Sequence, residues 1–317
     1  MAVVKRLLLA SPRGYCAGVE RAVETVEQAL DLHGSPVYVR KQIVHNAHVV
    51  RELEERGAVF VESEEDVPFG ATVVFSAHGV APAVHVRAKA RRLRTIDATC
   101  PLVSKVHAEA RHYARLGFTI FFIGHAGHEE VEGTTGEAPA SIILVETAEQ
   151  AATVVPAQTE RLVFLTQTTL SVDDTREIVR VLKRRFPSLE APPKEDICYA
   201  TTNRQRAVKR ILATVDLLLV IGSRNSSNSN RLVEVARARG VEAHLIDDES
   251  GIQESWLEGV ESVGLTSGAS APESLVGRVV GWFRERGVLQ VEGLDAAIED
   301  VFFKLPREVR ADAVTRT

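Results

Sequence analysis

The sequence predicts an α/β protein of three similar lobes, each built on a small parallel sheet, grouped around a pseudo-threefold axis with one central cluster site. Three observations lead to that fold class. Continuous apolar runs such as FTIFFIG and DLLLVIG alternate with amphipathic stretches, the pattern of parallel strands covered by helices on both faces. The alternation recurs three times, at intervals of roughly 100 residues, one domain-sized piece each. Each of the three cysteines occupies the same place in the recurrence, between an apolar run and the start of a helix pattern.

Along the first lobe (1–98), Val3 to Ala10 is an apolar strand and Cys16 follows it. Val19, Ala22, Val23, Val26 and Leu30 then recur at helical spacing until Gly34, and PVYV is the next strand. AHVVRELEERGAVFV supplies a helix and a strand, and TVVFSAHG another strand. The second lobe (99–194) repeats the order after Cys100. Val103, Val106, Ala110 and Ala114 mark the helix, Gly117 closes it, and FTIFFIG and LVFLTQTT are strands. Ser171 is a helix N-cap with Asp173 and Asp174 in the first turn. In the third lobe (195–285), Cys198 precedes a helix marked by Val208, Ile211, Leu212 and Val215. DLLLVIG, VEAHLI and SVGLTSGAS are its strands. Residues 286–317 contain no cysteine and read as a C-terminal extension.

With 317 residues, 45% hydrophobic and 26% charged, the chain has apolar content for a sizeable core. A net charge of −5 and the lack of a basic stripe with interleaved aromatics exclude a nucleic-acid binder. No signal peptide or membrane-spanning segment is visible, so a cytoplasmic location is expected. An odd number of cysteines in a reducing compartment argues against a disulfide framework and for metal or catalytic roles.

The recurrence also aligns polar residues. His45, His128 and Ser226 each lie about 28 residues after their lobe's cysteine, and His78, Thr168 and Ser270 each end a later strand. In open α/β sheets, ligands bind beyond the carboxyl ends of strands. A helix N-terminus carries partial positive charge and favours thiolate, the metal-binding form. Zinc sites usually pair their cysteines at C-x-x-C spacing, whereas these lie roughly 90 residues apart. Cys16, Cys100 and Cys198 meeting at one point suit a [4Fe–4S] cluster, one per chain, with the fourth iron open as a Lewis acid. Three buried structural cysteines are the competing reading.

GSRNSSNSNRLVEVA follows a strand and opens a helix, so its Ser, Asn and backbone N–H groups suit a phosphate. The histidines of IVHN, SAHGV and GHEEVEGT sit in polar loops and are expected to gain charge near neutral pH. His48, His107, His112 and His125 read as structural or surface residues. Glu129, Glu130 and Glu132 are candidate acids in a loop, and Thr168 is a candidate proton relay.

Taken together, YCAGVERA, DATCPLV, GHEEVEGTTG, TQTTLSVDDT, DICYATTNRQ, GSRNSSNSNRL and GASAP resemble the 4-hydroxy-3-methylbut-2-enyl diphosphate reductase family, in the right order from about residue 5 to 285. The resemblance implies reductive removal of the C4 hydroxyl of an allylic diphosphate, giving isopentenyl and dimethylallyl diphosphate, the last step of the methylerythritol phosphate pathway. It implies that Cys16, Cys100 and Cys198 hold the cluster. His45, His78 and His128 contact the diphosphate or order its pocket, while Ser226, Ser227, Asn228 and Ser270 bind it. Glu130 is the proton donor and Thr168 hydrogen-bonds near the substrate hydroxyl. One departure is visible: the family often reads His-Pro-Glu where this chain has His128-Glu129-Glu130. ASPRGYCAGVE lacks G-x-G-x-x-G, so the implied electron donor is ferredoxin or flavodoxin rather than a bound nicotinamide. A cluster-dependent hydro-lyase and a phosphate-binding protein with structural zinc are the rival functions.

Overall fold

The structure, a computed structural model, describes residues 4–310. Strand β1 (Arg6–Ser11) leads past Cys16 into α1 (Ala17–His33). There follow β2 (Val37–Arg40), α2 (Ala47–Glu55), β3 (Ala58–Val61), β4 (Thr72–Phe75), α3 (Pro82–Ala90) and β5 (Arg94–Asp97). After Cys100 come α4 (Pro101–Arg115), β6 (Thr119–Ile123), α5 (Glu129–Glu137), β7 (Ile142–Val145), α6 (Ala148–Thr153), β8 (Leu162–Thr166) and α7 (Val172–Arg185). Cys198 precedes α8 (Tyr199–Ile211), and the chain continues through β9 (Leu217–Ile221), α9 (Ser227–Arg237), β10 (Glu242–Ile246), β11 (Ser262–Ser267), α10 (Glu273–Glu285) and β12 (Gln290–Asp295).

The chain divides into two compact units. One comprises Met1–Val19, His45–Val49 and Tyr199–Phe302, and the other Glu20–Val44, Val50–Cys198 and Phe303–Thr317. The first holds a five-stranded sheet of order β10-β9-β11-β1-β12. The second holds a four-stranded sheet, β3-β2-β4-β5, and a three-stranded one, β7-β6-β8. Every strand pairing among the described residues is parallel.

In the five-stranded sheet, Leu217, Leu219 and Ile221 pack with Leu275, Val279 and Phe283 of α10. Leu218 and Val220, pointing the other way, pack with Val208 and Ile211 of α8 and Leu232 of α9. Both faces are buried, so DLLLVIG is continuously apolar rather than alternating. Phe121 and Ile123 of β6 meet Ile178 and Leu182 of α7, while Ile120 and Phe122 meet Val106 and Ala110 of α4. Each such side chain contributes about 1.5–3 kcal/mol on burial.

The three sheets follow one rule that corrects the expected lobe boundaries. The orders β10-β9-β11-β1 and β3-β2-β4-β5 match, and Glu190, bridged in parallel to Val163, takes the same flanking place beside β8. In each case that last segment runs on to a cysteine. The recurring piece therefore ends in its cysteine instead of starting before it. The strand assigned to the first lobe (1–98) joins the sheet of the third: β1 pairs with β11, Arg6 opposite Ser262. Residues 286–317 are not merely an extension, because β12 edges that same sheet from Gln290, opposite Arg6, to Asp295, opposite Ser11. Leu7 and Ala10 are fully buried and demand a sheet around them, yet a parallel partner lies beyond a crossover and leaves no local trace. Among the described residues no helix is long and apolar enough to cross a membrane.

Candidate active site

None of the three cysteines is in a disulfide, and each is half-buried. Cys100 is the N-cap of α4 with Pro101 at the first helical position, where a missing N–H and a fixed φ suit the helix. Cys16 and Cys198 stand immediately before α1 and α8. Their amides are held alike. Cys16 N donates to Ala269 O at 3.2 Å, Cys100 N to Ala77 O at 3.0 Å and Cys198 N to Thr168 O at 3.0 Å. Each acceptor lies just past the end of the neighbouring strand, β11, β4 or β8. Three cysteines without disulfides, each at a helix start and locked through its own amide, form a donor set that fits thiolate ligation of iron–sulfur or zinc.

The first compact unit contains a cluster of polar side chains at the N-terminus of α9. Ser226 is the N-cap, its hydroxyl accepting from Ser229 N at 3.3 Å and from Ser229 Oγ at 2.9 Å. Asn228 accepts from Ala269 N at 2.9 Å, and Ser270 Oγ donates to His45 O at 2.9 Å. His45 Nδ1 lies 3.2 Å from Asn225 Nδ2. His45, Ser226, Asn228, Ser229 and Ser270 are all buried, and Ser227 is the first residue of the helix. Polar side chains gathered at the N-terminus of a helix suit an anion. Asn225 and Ser229 were not singled out from the sequence. Their only signal is membership of the Ser/Asn run.

The second unit holds the acid. Glu130 is 1% exposed and accepts from Thr168 N at 2.7 Å and Thr168 Oγ at 3.0 Å. Burial pushes its carboxyl up to about 7, with Asp196 adding to the rise and the two Thr168 bonds opposing it. Thr168 therefore touches both the acid, through its amide and hydroxyl, and Cys198, through its carbonyl. Glu130 lies in the first turn of a helix rather than in the expected loop. Gly133 and Gly136 weaken the helical signal of α5, whose N-cap is the His128 ring, accepting from Glu130 N at 3.1 Å. His78 lies edge-to-face with His128, ring centres 5.7 Å apart.

The expectation that the loop histidines gain charge near neutral pH fails at His78, which burial pushes down to about 4. His78 Nδ1 faces the Glu129 carboxylate at 3.2 Å, and Ser76 Oγ donates to the same oxygen at 3.3 Å. A carboxylate only accepts, so Nδ1 carries the hydrogen. His107 packs this region together: a Cβ at Gly79 or Gly133 would press on its ring.

Residues 7–284 match the family described as LytB protein. The chain belongs to the LytB family. Among LytB relatives, one from Acidothermus cellulolyticus, named 4-hydroxy-3-methylbut-2-enyl diphosphate reductase, is 62% identical over 98% of this chain and 92% of its own length. A Nocardia farcinica protein of the same name is 58% identical, over 96% and 91%. The solved E-1-hydroxy-2-methyl-but-2-enyl-4-diphosphate reductase from Plasmodium falciparum superposes with a TM-score of 0.94 at 41% identity, covering 96% of this chain and 97% of that one. At the departure noted above, Glu129 is the first helical residue of α5. Acidic residues suit that position, where they complement the positive end of the helix.

Proposed function

We propose that this chain is a 4-hydroxy-3-methylbut-2-enyl diphosphate reductase that holds one [4Fe–4S] cluster on Cys16, Cys100 and Cys198. Family membership supports the reaction class and an iron–sulfur centre. The observation that carries the site assignment is Thr168, which bonds a buried acid on one side and the amide of Cys198 on the other. The reaction removes the allylic hydroxyl with two electrons and two protons, releasing water and isopentenyl or dimethylallyl diphosphate. When bound, the cluster supplies the electrons singly and a Lewis-acidic iron. The polar group at the α9 N-terminus, with His45, Ser226, Ser227, Asn228 and Ser270, takes the diphosphate, and His78 and His128 order or contact it. Thr168 N occupies Glu130 Oε1, so protonated Glu130 carries its hydrogen on Oε2 and donates it to the Thr168 hydroxyl, which turns its own hydrogen to the departing oxygen. Ferredoxin or flavodoxin, in the cytoplasm, completes the proposal as electron donor.

The test is anaerobic turnover of the diphosphate substrate with reduced flavodoxin. Both products are expected only when the reductant is present. Conversion without reductant means a hydro-lyase, and a colourless protein containing zinc means a binding protein.

Glu129 is expected to act on substrate binding through His78. Glu129→Ala removes the carboxylate acceptor of His78 Nδ1 and raises KM about fivefold or more with kcat little changed. Glu129→Gln keeps an oxygen acceptor for Nδ1–H and stays within about twofold of the parent. Steady-state kinetics of both variants check this, and equal effects would remove Glu129 from the positioning of His78.

A further inference from the structure

Two arginines, one in each compact unit, tie the C-terminal segment to the backbone just ahead of a cysteine. Arg204 of α8 is fully buried. Its Nη2 donates to Gly14 O at 2.8 Å, shortly before Cys16. Its Nη1 donates to both carboxylate oxygens of Glu299 at 3.2 Å and to Ala200 O at 3.1 Å, and Asn203 Nδ2 donates to Glu299 at 3.1 Å. In the other unit, Arg21 Nη1 donates to Ala98 O at 2.9 Å and Thr99 O at 3.0 Å, immediately before Cys100. Its Nε donates to Lys304 O at 2.8 Å.

A guanidinium offers five donors in a rigid fork, which suits it to gather several carbonyls at once. A buried one needs a countercharge, and Glu299 supplies it for Arg204. Glu299 and Lys304 lie beyond residue 284, where the family match ends. We infer that residues 296–310 act as a strap that fixes two cysteine turns: Glu299, through Arg204, holds the turn before Cys16, and the Lys304 carbonyl, through Arg21, holds the turn before Cys100. Glu299 and Arg21 are thereby positioning residues. The strap rests on contacts within the chain, and only its consequence for the cluster rests on the proposed function.

Hydrogen exchange of the metal-free protein, read by mass spectrometry, tests it. Glu299→Ala is expected to speed exchange in residues 12–18 about tenfold while residues 98–104 keep the parent rate. Glu299→Gln, which keeps one oxygen acceptor, recovers part of the protection. Arg21→Lys retains the charge but not the fork, and speeds exchange in residues 98–101 while the turn before Cys198 stays as in the parent. In the loaded protein, Glu299→Ala releases iron to a chelator several-fold faster. Unchanged exchange at residues 12–18, or a rise spread evenly over both units, overturns the strap. If Glu299→Ala does not fold, the local response of Glu299→Gln and Arg21→Lys decides. Local loosening in a protein that takes up no iron leaves the strap standing and refutes the cluster reading instead.

Discussion

Glu130→Gln is expected to lower kcat by about 10²–10⁴-fold, the contribution of a positioned general acid, with little change in KM. Glutamine fills the same volume and still accepts from Thr168 N, so the pocket keeps its shape. What disappears is the transferable proton. Burial is the largest influence on this carboxyl and pushes it up to about 7, so near neutral pH a large fraction is protonated and able to donate. The parent kcat therefore falls as pH rises through about 7, whereas the residual activity of Glu130→Gln lacks that limb. Stability follows the same titration. The native state binds the proton more tightly than the unfolded chain, whose carboxyl has the ordinary value of 4.5. Glu130 thus contributes stability that the parent loses as pH rises from about 4.5 through 7, and the variant lacks that contribution. Matching pH–kcat profiles in the two proteins would take the acid role from Glu130.

Gly268→Ala is expected to disable diphosphate binding. A Cβ there collides with Ser229 Oγ and comes within 3.2 Å of Ser229 Cβ and 3.5 Å of Asn228 Oδ1. Ser229 has nowhere to retreat, because its hydroxyl also fills the space beside Gly222. It is tied to the N-cap Ser226 at 2.9 Å, and Asn228 holds Ala269 N at 2.9 Å. Displacing the wedge therefore disturbs the α9 start and the Ala269 segment whose carbonyl holds Cys16. Overpacking of this kind costs about 1–3 kcal/mol, and KM is expected to rise about tenfold or more. Ser229→Ala in the same chain relieves the worst contact and restores part of the stability, a coupling that a double-mutant cycle with thermal unfolding measures. Full additivity of the two substitutions would mean that the collision is not the cause.

These effects differ in how visible they were in the sequence. Strands and helices with strong periodicity, such as DLLLVIG and the Val103–Ala114 helix, were legible because burial on two faces or one stripe writes itself into local composition. The neighbours of β1 were not legible, since its pairing with β11 spans most of the chain and parallel ladders carry no turn signal. Helix α5 was hidden by glycines required for packing rather than for turns. Gly133 makes room for His107, and a Cβ at Gly136 would strike Ala81. Candidate site residues could be named from spacing and from a resemblance, but not their pairing. That Glu129 faces His78 and that Thr168 bonds Glu130 depends on the start of α5 meeting the segments that follow β4 and β8. Arg204 reads as one more helical arginine until its burial and its bond to Gly14 O are seen.

On the proposed function, three thiolates from three similar strand–helix turns hold one iron–sulfur cluster. Anaerobic iron and acid-labile sulfide analysis of the parent, beside Cys16→Ser, Cys100→Ser and Cys198→Ser, tests it most directly. The parent should hold about four irons and four sulfides per chain, and each single substitution should abolish stable loading. A parent that binds zinc, or a cluster that survives the loss of any one of these cysteines, contradicts the account.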